Sequence, residues 1–290
     1  KKVERMKVRT DLALEARESF DGSGVEIHGV EVEESCDEER DVRLTRVKIV
    51  SERGARAMGK SRGTYLTQAA PGLASPDEDY HREVSEMIAD LLRELTGTAE
   101  SVLVAGLGNR EVTPDALGPQ AVSNLMITRH LIREYGREMM GMDGCCVVSG
   151  IVPGVMAQTG IETSEILQGI IEETRPDLLI VIDALAARST RRLGRTVQIT
   201  DTGIQPGSGV GNHRGSLTKE SLGIPVIAIG VPTVVEAAAI VYDAQGNCEK
   251  MPPHLNGMFV TPKNIDEMIK QLSFTLSEAL NMVFSETKKA

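Results

Sequence analysis

With 290 residues, 41% of them hydrophobic but only 3% aromatic, the chain can bury one main core that favours a sheet covered by helices over an aromatic-rich β-sandwich. The formal net charge of -10 argues against direct binding of nucleic acid. No apolar run is long enough for a membrane span or a secretory signal, so we expect a cytoplasmic protein without a membrane partner.

The amino-terminal part of the chain, residues 1–75, predicts a small β-rich annex. Two stretches, HGVEVEE at 28–34 and RLTRVKIV at 43–50, alternate between apolar and charged residues. This period of two is typical of exposed or edge strands, because successive side chains point to opposite faces.

Residues 76–290 predict an α/β core that completes a single catalytic domain. It begins with a helix from about Pro76 to Thr96, for which Ser75 is the predicted N-cap and Glu78 the capping-box glutamate. Continuous apolar runs follow at 101–106, 145–150, 177–183, 196–200 and 225–230. Helices are predicted between and after them at 119–135, 161–174, 234–242 and 264–286. Because the runs are apolar on both faces, we expect a mostly parallel, twisted sheet with helices covering both faces.

The segment LGNREVTPDALGP at 107–119 carries the first candidate site residue, Asp115. Ligands of open α/β sheets bind beyond the carboxyl ends of the strands, so Asp115 is predicted to project toward a site. The alternative is an aspartate that only forms a turn or caps a helix. Gly106 and Gly108 do not make a dinucleotide fingerprint, because the third glycine position holds Glu111.

The second candidate is Asp183, at the end of the apolar run LLIVID. A carboxylate after five aliphatic residues is costly to desolvate unless it faces a cleft or a cation. Asp183 is therefore a functional candidate. The alternative is a structural ion pair with one of the arginines that follow, Arg188, Arg191 or Arg192.

Three other motifs suggest different chemistry. GARAMGKS at 54–61 fits the P-loop pattern, but the preceding run is charged and Gly63 follows where a phosphate-binding helix should continue. Asp201 lies in the tripeptide DTG of pepsin-like proteases, which need two such loops in an all-β fold, although it could still line a cleft. His213 could join the two aspartates in a metal site, with a plain surface loop as the alternative.

Taken together, seven segments resemble the germination protease family of spore-forming bacteria. They occur in the family's order over nearly the whole chain. The segments are VRTDLALEA, LGNREVTPDALGP, PGVMAQTGIETSEI, VIDALAAR, ITDTGIQPGSGVGN, LGIPVIAIGVPTVVEA and FVTPKNIDEMI.

This resemblance implies an endopeptidase that degrades the small acid-soluble proteins coating spore DNA during germination. It implies an atypical aspartic peptidase without metal or other cofactor, active as a homotetramer in the spore core. The family's catalytic aspartates match Asp115 and Asp183 here. The resemblance further implies a self-processing zymogen cut between Met6 and Lys7, which leaves residues 1–6 as the tail of a propeptide.

The fold is also similar to that of hydrogenase-maturation peptidases, which share the two acid positions and use a metal with a histidine. Two functions of other classes stay open at this point. A P-loop nucleotide hydrolase would depend on Lys60, and a catalytically silent assembly protein of the same fold would keep both aspartates without cleaving itself near Met6.

Overall fold

The computed structural model describes residues 10–21, 27–140, 144–207, 215–245, 255 and 257–285. Met6, Lys7 and His213 lie outside these ranges, so the expected cleavage position and the histidine remain predictions from the sequence.

The described residues form one mixed sheet of nine strands. The strands are β1 (Val30–Asp37), β2 (Val42–Ile49), β3 (Gly63–Ala69), β4 (Ser101–Gly106), β5 (Val147–Ile151), β6 (Leu178–Ala187), β7 (Thr196–Thr200), β8 (Val226–Glu236) and β9 (Phe259–Val260). Their order is β1-β2-β3-β7-β8-β6-β4-β5, and β9 pairs with β8. Strands β5, β4, β6 and β8 are parallel neighbours, whereas β1, β2, β3 and β7 pair antiparallel.

Helices cover both faces of the sheet, which confirms the predicted α/β class. They are α1 (Ala13–Asp21), α2 (Glu52–Met58), α3 (Glu78–Thr96), α4 (Leu117–Ser123), α5 (Arg129–Tyr135), α6 (Met156–Thr159), α7 (Thr163–Thr174), α8 (Lys219–Leu222), α9 (Ala237–Gln245) and α10 (Ile265–Ser285). Helices α3, α4 and α10 enclose the larger core, to which β6 contributes Ile180 and Ile182. Helix α7 packs on the opposite face, where Leu167 meets Leu179 and Val181.

The predicted annex extends the main sheet. Strands β1 and β2 form where alternation predicts them, and β1 is almost entirely exposed. Strand β3 lies in a segment for which no strand is predicted, and it joins the annex to β7 through the antiparallel pairs Tyr65 to Thr200 and Ala69 to Thr196. The amino-terminal strands therefore share a hydrogen-bonded sheet with the core.

The first long helix begins later than predicted. Asp77 is the N-cap of α3, because its carboxylate accepts a hydrogen bond from the Tyr80 N–H at 3.2 Å. Ser75 serves another purpose, since its carbonyl oxygen lies 3.0 Å from a ring nitrogen of the buried His81. A carboxylate and a hydroxyl two residues apart both satisfy the N-cap pattern, and the structure uses the carboxylate.

The helix predicted over 119–135 is two helices, α4 and α5, with a break at 124–128. The buried Thr128 hydroxyl donates to the Cys146 carbonyl at 2.7 Å and accepts from the Val148 N–H at 2.8 Å. The Met126 N–H donates to the Asn281 side chain at 2.9 Å. These bonds to β5 and α10 replace the helical bonds that a continuous helix would need.

The helix predicted from Val234 starts only at Ala237, because β8 continues through Glu236. Strand β6 is also longer than predicted, and the two strands stay paired as far as Ala187 and Val235. Thr233, next to the predicted helix start, is buried inside β8, where its carbonyl accepts the Thr261 hydroxyl at 2.8 Å.

Candidate active site

The four parallel strands β5, β4, β6 and β8 bring their carboxyl ends to one edge of the sheet, called here the carboxyl edge. Strand β4 ends at Gly106 and β5 ends at Ile151, whereas β6 continues past both. A recess at this edge is where open α/β sheets bind ligands. Both predicted aspartates belong to segments that reach it.

Asp115 lies in the connection between β4 and α4, in a 3-10 turn over Thr113–Asp115. Its carboxylate accepts a hydrogen bond from the Asn109 N–H at 2.7 Å, so the turn-forming role is real. The side chain is half-buried and lies against Gly108, which has a φ of +111°. A β-carbon at Gly108 would fall 1.9 Å from the Asp115 carbonyl oxygen, so this close approach requires glycine.

Asp183 lies within β6, not at its end as the sequence predicts. The pairing of β6 with β4 stops at Ile182 and Gly106, while its pairing with β8 continues through Asp183 and Gly230. Asp183 is thus the first residue of β6 beyond the end of its neighbour. It is 6% exposed, and its carboxylate accepts the Ala184 N–H at 3.0 Å.

The segment that carries Asp115 packs on the seam between β4 and β6, the strand that carries Asp183. The Leu107 N–H donates to the Ile182 carbonyl at 2.8 Å, next to Asp183. A β-carbon on Gly118, three residues after Asp115, would lie 2.5 Å from the carbonyl oxygens of both Leu107 and Ile182. The first turn of α4 therefore rests on this seam, and the turn that carries Asp115 contacts β6.

The connection after β5 completes the same edge and adds a residue that sequence reasoning missed. Gln158 in α6 donates from its amide nitrogen to the Asn109 side-chain oxygen at 3.0 Å. Asn109 thereby links the connection after β5 to Asp115, because the Asn109 N–H donates to the Asp115 carboxylate. No spacing motif marks these amides, but polar residues after successive parallel strands are the signal that could have found them.

Arg192, one of the arginines predicted as an alternative ion-pair partner of Asp183, pairs with glutamates. This guanidinium pairs with Glu15 at 3.3 Å and with Glu18, both in α1. The nearly buried Glu15 also accepts the Arg188 N–H at 2.7 Å. Glutamates of α1 therefore bind the segment that follows Asp183.

The P-loop interpretation is wrong. Gly54 is the third residue of helix α2, and the preceding strand β2 is antiparallel to both its neighbours. The ammonium of Lys60 is enclosed by protein and donates to the Asp11 carbonyl at 2.7 Å and to the Thr10 carbonyl at 3.5 Å. Burial lowers the pKa of Lys60, against the opposing effect of the Asp11 and Glu15 carboxylates.

Asp201 does not line the carboxyl edge. Strand β7 runs antiparallel to β8, so the residue after Thr200 lies toward the amino ends of the parallel strands. There the Asp201 carboxylate accepts the Thr64 N–H at 2.7 Å and approaches Gly63. Asp201 thus fixes the start of β3.

Within the ranges that the structure describes, no group of three His, Cys, Asp or Glu side chains could hold a metal ion. Among those same residues, no helix combines the length and apolarity that crossing a membrane requires.

Comparison with known proteins decides the family. A family model described as Germination protease matches residues 7–250. The chain belongs to the germination protease family. It is 46% identical to a germination protease of Caldanaerobacter subterraneus subsp. tengcongensis, over 95% of this chain and 93% of that one. A germination protease of Clostridium perfringens is 43% identical over 95% of this chain and 94% of its own length.

Membership of the germination protease family makes this chain a peptidase. Among solved structures, a [NiFe] hydrogenase maturation protease HycI from Thermococcus kodakarensis KOD1 matches 68% of this chain and 99% of its own. The TM-score is 0.38 and the sequence identity is 18%.

Proposed function

We propose that this peptidase is an atypical aspartic endopeptidase whose two catalytic groups are the carboxylates of Asp115 and Asp183. The observation that carries the proposal is their position at the β4/β6 seam of the carboxyl edge. Each carboxylate is fixed by a main-chain N–H, from Asn109 and Ala184 respectively. Fixed acids at such an edge can be aimed at one substrate bond.

The proposed chemistry divides the work between the two acids. The ionised carboxylate removes a proton from water, which attacks the carbonyl carbon of the peptide bond. The protonated carboxyl hydrogen-bonds the carbonyl oxygen, and a proton reaches the departing nitrogen as the C–N bond breaks. Two close carboxyl groups favour one shared proton, because ionising both would place like charges side by side, and their titration belongs to the pair.

The test replaces each aspartate by an isostere that cannot exchange the proton. Asp115→Asn and Asp183→Asn should each lower kcat for a peptide substrate about 10²–10⁴-fold, the range that general acid–base catalysis contributes. The matched control is Asp201→Asn, an exposed aspartate that also accepts a main-chain N–H but lies away from the carboxyl edge. A folded Asp115→Asn or Asp183→Asn enzyme with control-level kcat would remove that residue from the mechanism.

We further propose that the substrates are the small acid-soluble proteins that coat spore DNA, degraded in the spore core at germination. The name germination protease, which the curated relatives share, supports a role at germination. A net charge of -10 fits an enzyme that takes these proteins once they leave DNA, because its averaged field repels phosphates. Added DNA should compete with the enzyme for substrate, and tight binding of DNA in a mobility-shift assay would contradict this.

The proposal also includes a zymogen that processes itself between Met6 and Lys7 and a homotetrameric active form. Mass spectrometry of the purified chain should show a new amino terminus at Lys7, absent in Asp183→Asn. Sedimentation equilibrium measures the assembly. An uncut chain with an active, wild-type site would reject self-processing, and an active monomer would reject the tetramer.

A further inference from the structure

Beyond the end of β4, no strand among the described residues pairs with that edge of β6. Alternate residues of a parallel strand direct their main-chain groups to alternate neighbours, and the Ile182 carbonyl points to the β4 side, where it binds Leu107. The main-chain groups of Ala184 and Ala186 therefore point to the same side, past the last β4 residue, Gly106. This free edge of β6 begins at Asp183.

The start of the described chain takes the place of β4 along this edge. Asp11 binds Ala186 twice: its N–H donates to the Ala186 carbonyl at 3.0 Å, and its carboxylate accepts the Ala186 N–H at 2.9 Å. Farther along, the Glu15 carboxylate accepts the N–H groups of Arg188 at 2.7 Å and Ser189 at 3.0 Å. The Ala184 N–H lies between these contacts and the end of β4. It donates a hydrogen bond to the Asp183 carboxylate.

Several independent contacts hold Asp11 in this position. Lys60 donates to its carbonyl at 2.7 Å, and Gln198 of β7 accepts the Ala13 N–H at 2.7 Å. The next residue, Leu12, is fully buried and packs with Leu185, which lies on the same face of β6 as Asp183. These contacts attach the segment both to β6 and to β7.

We propose that Asp11 is a positioning residue for Asp183: by binding both main-chain groups of Ala186, it holds the free edge of β6 and so sets the orientation of the Asp183 carboxylate. The inference rests on the proposed function of Asp183. Ala186 lies three residues along the strand from Asp183, about 10 Å, so Asp11 acts through the strand and does not touch the substrate. A misplacement of about 1 Å at a catalytic group can lower the rate about 100-fold.

The test compares kinetic parameters of full-length variants. Asp11→Ala removes the acceptor for the Ala186 N–H and should lower kcat about 10–100-fold with KM changed less than about twofold, because substrate contacts stay in place. Asp11→Asn keeps an oxygen at that position and should restore most of the lost kcat. Since Asp183 moves relative to Asp115, the pH profile of kcat should shift in Asp11→Ala and return in Asp11→Asn.

The matched control lies at the other end of the same strand. Asp177 precedes β6, and its carboxylate accepts the N–H groups of Glu100 at 3.0 Å and Ser101 at 2.9 Å. Asp177→Ala should lower the midpoint of thermal unfolding as Asp11→Ala does, yet leave kcat and its pH profile unchanged. Equal kcat in Asp11→Ala and Asp177→Ala, measured where both are folded, would overturn the inference.

Two further variants keep the outcome decisive. If Asp11→Ala does not fold, Lys60→Met removes the bond to the Asp11 carbonyl while keeping an apolar side chain, and it should lower kcat several-fold at unchanged KM. Wild-type kcat in folded Lys60→Met would then refute the positioning role. Wild-type kcat in Asp183→Asn would instead reject the proposed function, so the two failures are distinguishable.

Discussion

The central strands of the parallel half of the sheet and the outermost strand of the antiparallel half differ in burial and in what they contribute. Strands β4, β6 and β8 of the parallel half are buried along most of their length, and the candidate site lies at their carboxyl edge. In the antiparallel half, β1 is exposed and charge-rich, and Arg46 of β2 pairs across the surface with Glu94 at 2.9 Å. The contrast teaches that one continuous sheet can combine buried strands that carry the candidate site with exposed strands that support them.

Residues 10–13, at the start of the described chain, contact both halves. Lys60, in the segment before β3, and Gln198 of β7 hold residues 10–13 against β6. The antiparallel half therefore provides the anchor for the segment that covers the edge beside Asp183. Three predictions test how far this division of roles holds.

The largest effect should come from a glycine at the carboxyl edge. Gly108→Ala should lower kcat about 100-fold, because the new β-carbon would occupy the space of the Asp115 carbonyl oxygen and displace that turn. The strain should also lower the free energy of unfolding by about 1–3 kcal/mol. Peptide cleavage assays and urea unfolding measure the two changes.

The control for that prediction is Gly59→Ala in the supporting half. Gly59 also has a positive φ, +61°, but a β-carbon there would meet no atom within 4 Å. We expect a loss of about 1 kcal/mol from the left-handed backbone and an unchanged kcat. A Gly108→Ala enzyme with the same profile as Gly59→Ala would show that the turn tolerates the displacement.

The second prediction compares one residue type in the two halves. Val181→Ala in β6 removes two fully buried methyl groups and should lower the free energy of unfolding by about 2 kcal/mol or more. Val32→Ala in β1 changes a side chain that is 38% exposed and should stay within about 0.5 kcal/mol. Chemical denaturation measures both, and similar losses would mean that the halves do not differ in packing.

The third prediction has the smallest expected effect. It concerns how the stability contributed by Lys60, which holds residues 10 and 11, depends on pH. Burial lowers the pKa of Lys60 below the 10.5 of a free lysine. Between that lowered value and 10.5 the unfolded chain binds more protons than the folded chain, so the stability that depends on Lys60 rises with pH and is lost as pH falls through the lowered pKa.

Lys60→Met should remove this slope. The difference in free energy of unfolding, wild type minus Lys60→Met, should increase as the pH is raised toward 10.5, as measured by urea denaturation. The exposed Lys48→Met in β2 serves as the control and should show no such slope. A constant difference for Lys60→Met across this range would mean that its ammonium is not held as the structure describes.

The buried strands were predicted well because continuous apolar runs can fold in few other ways. The runs that became β4 and β7 match their strands residue for residue, at 101–106 and 196–200. The errors occur where a distant contact decides the local structure. Thr128 breaks a predicted helix because its hydroxyl bonds to β5 and the residue before it. Strand β8 extends beyond its predicted end because β6 remains paired with it.

The candidate site was predicted in part, for similar reasons. Asp115 and Asp183 follow apolar runs, so the sequence marks both, and the structure places both at the carboxyl edge. Asn109 and Gln158 carry no local signal, since their hydrogen bond joins connections after two different strands. Asp201 and the P-loop pattern were misleading because strand direction and helix α2, which short motifs do not encode, assign them structural roles.

Hydrophobic periodicity and residue chemistry are local properties of the chain, so the sequence alone predicted the α/β class, the positions of the buried strands along the chain and the two acidic candidates. The tertiary structure alone decided that β4 stops one residue short of Asp183 and that Asp11 continues the hydrogen bonding along β6. Both depend on residues about 70–175 positions apart in the chain, whose contacts form only when the sheet assembles.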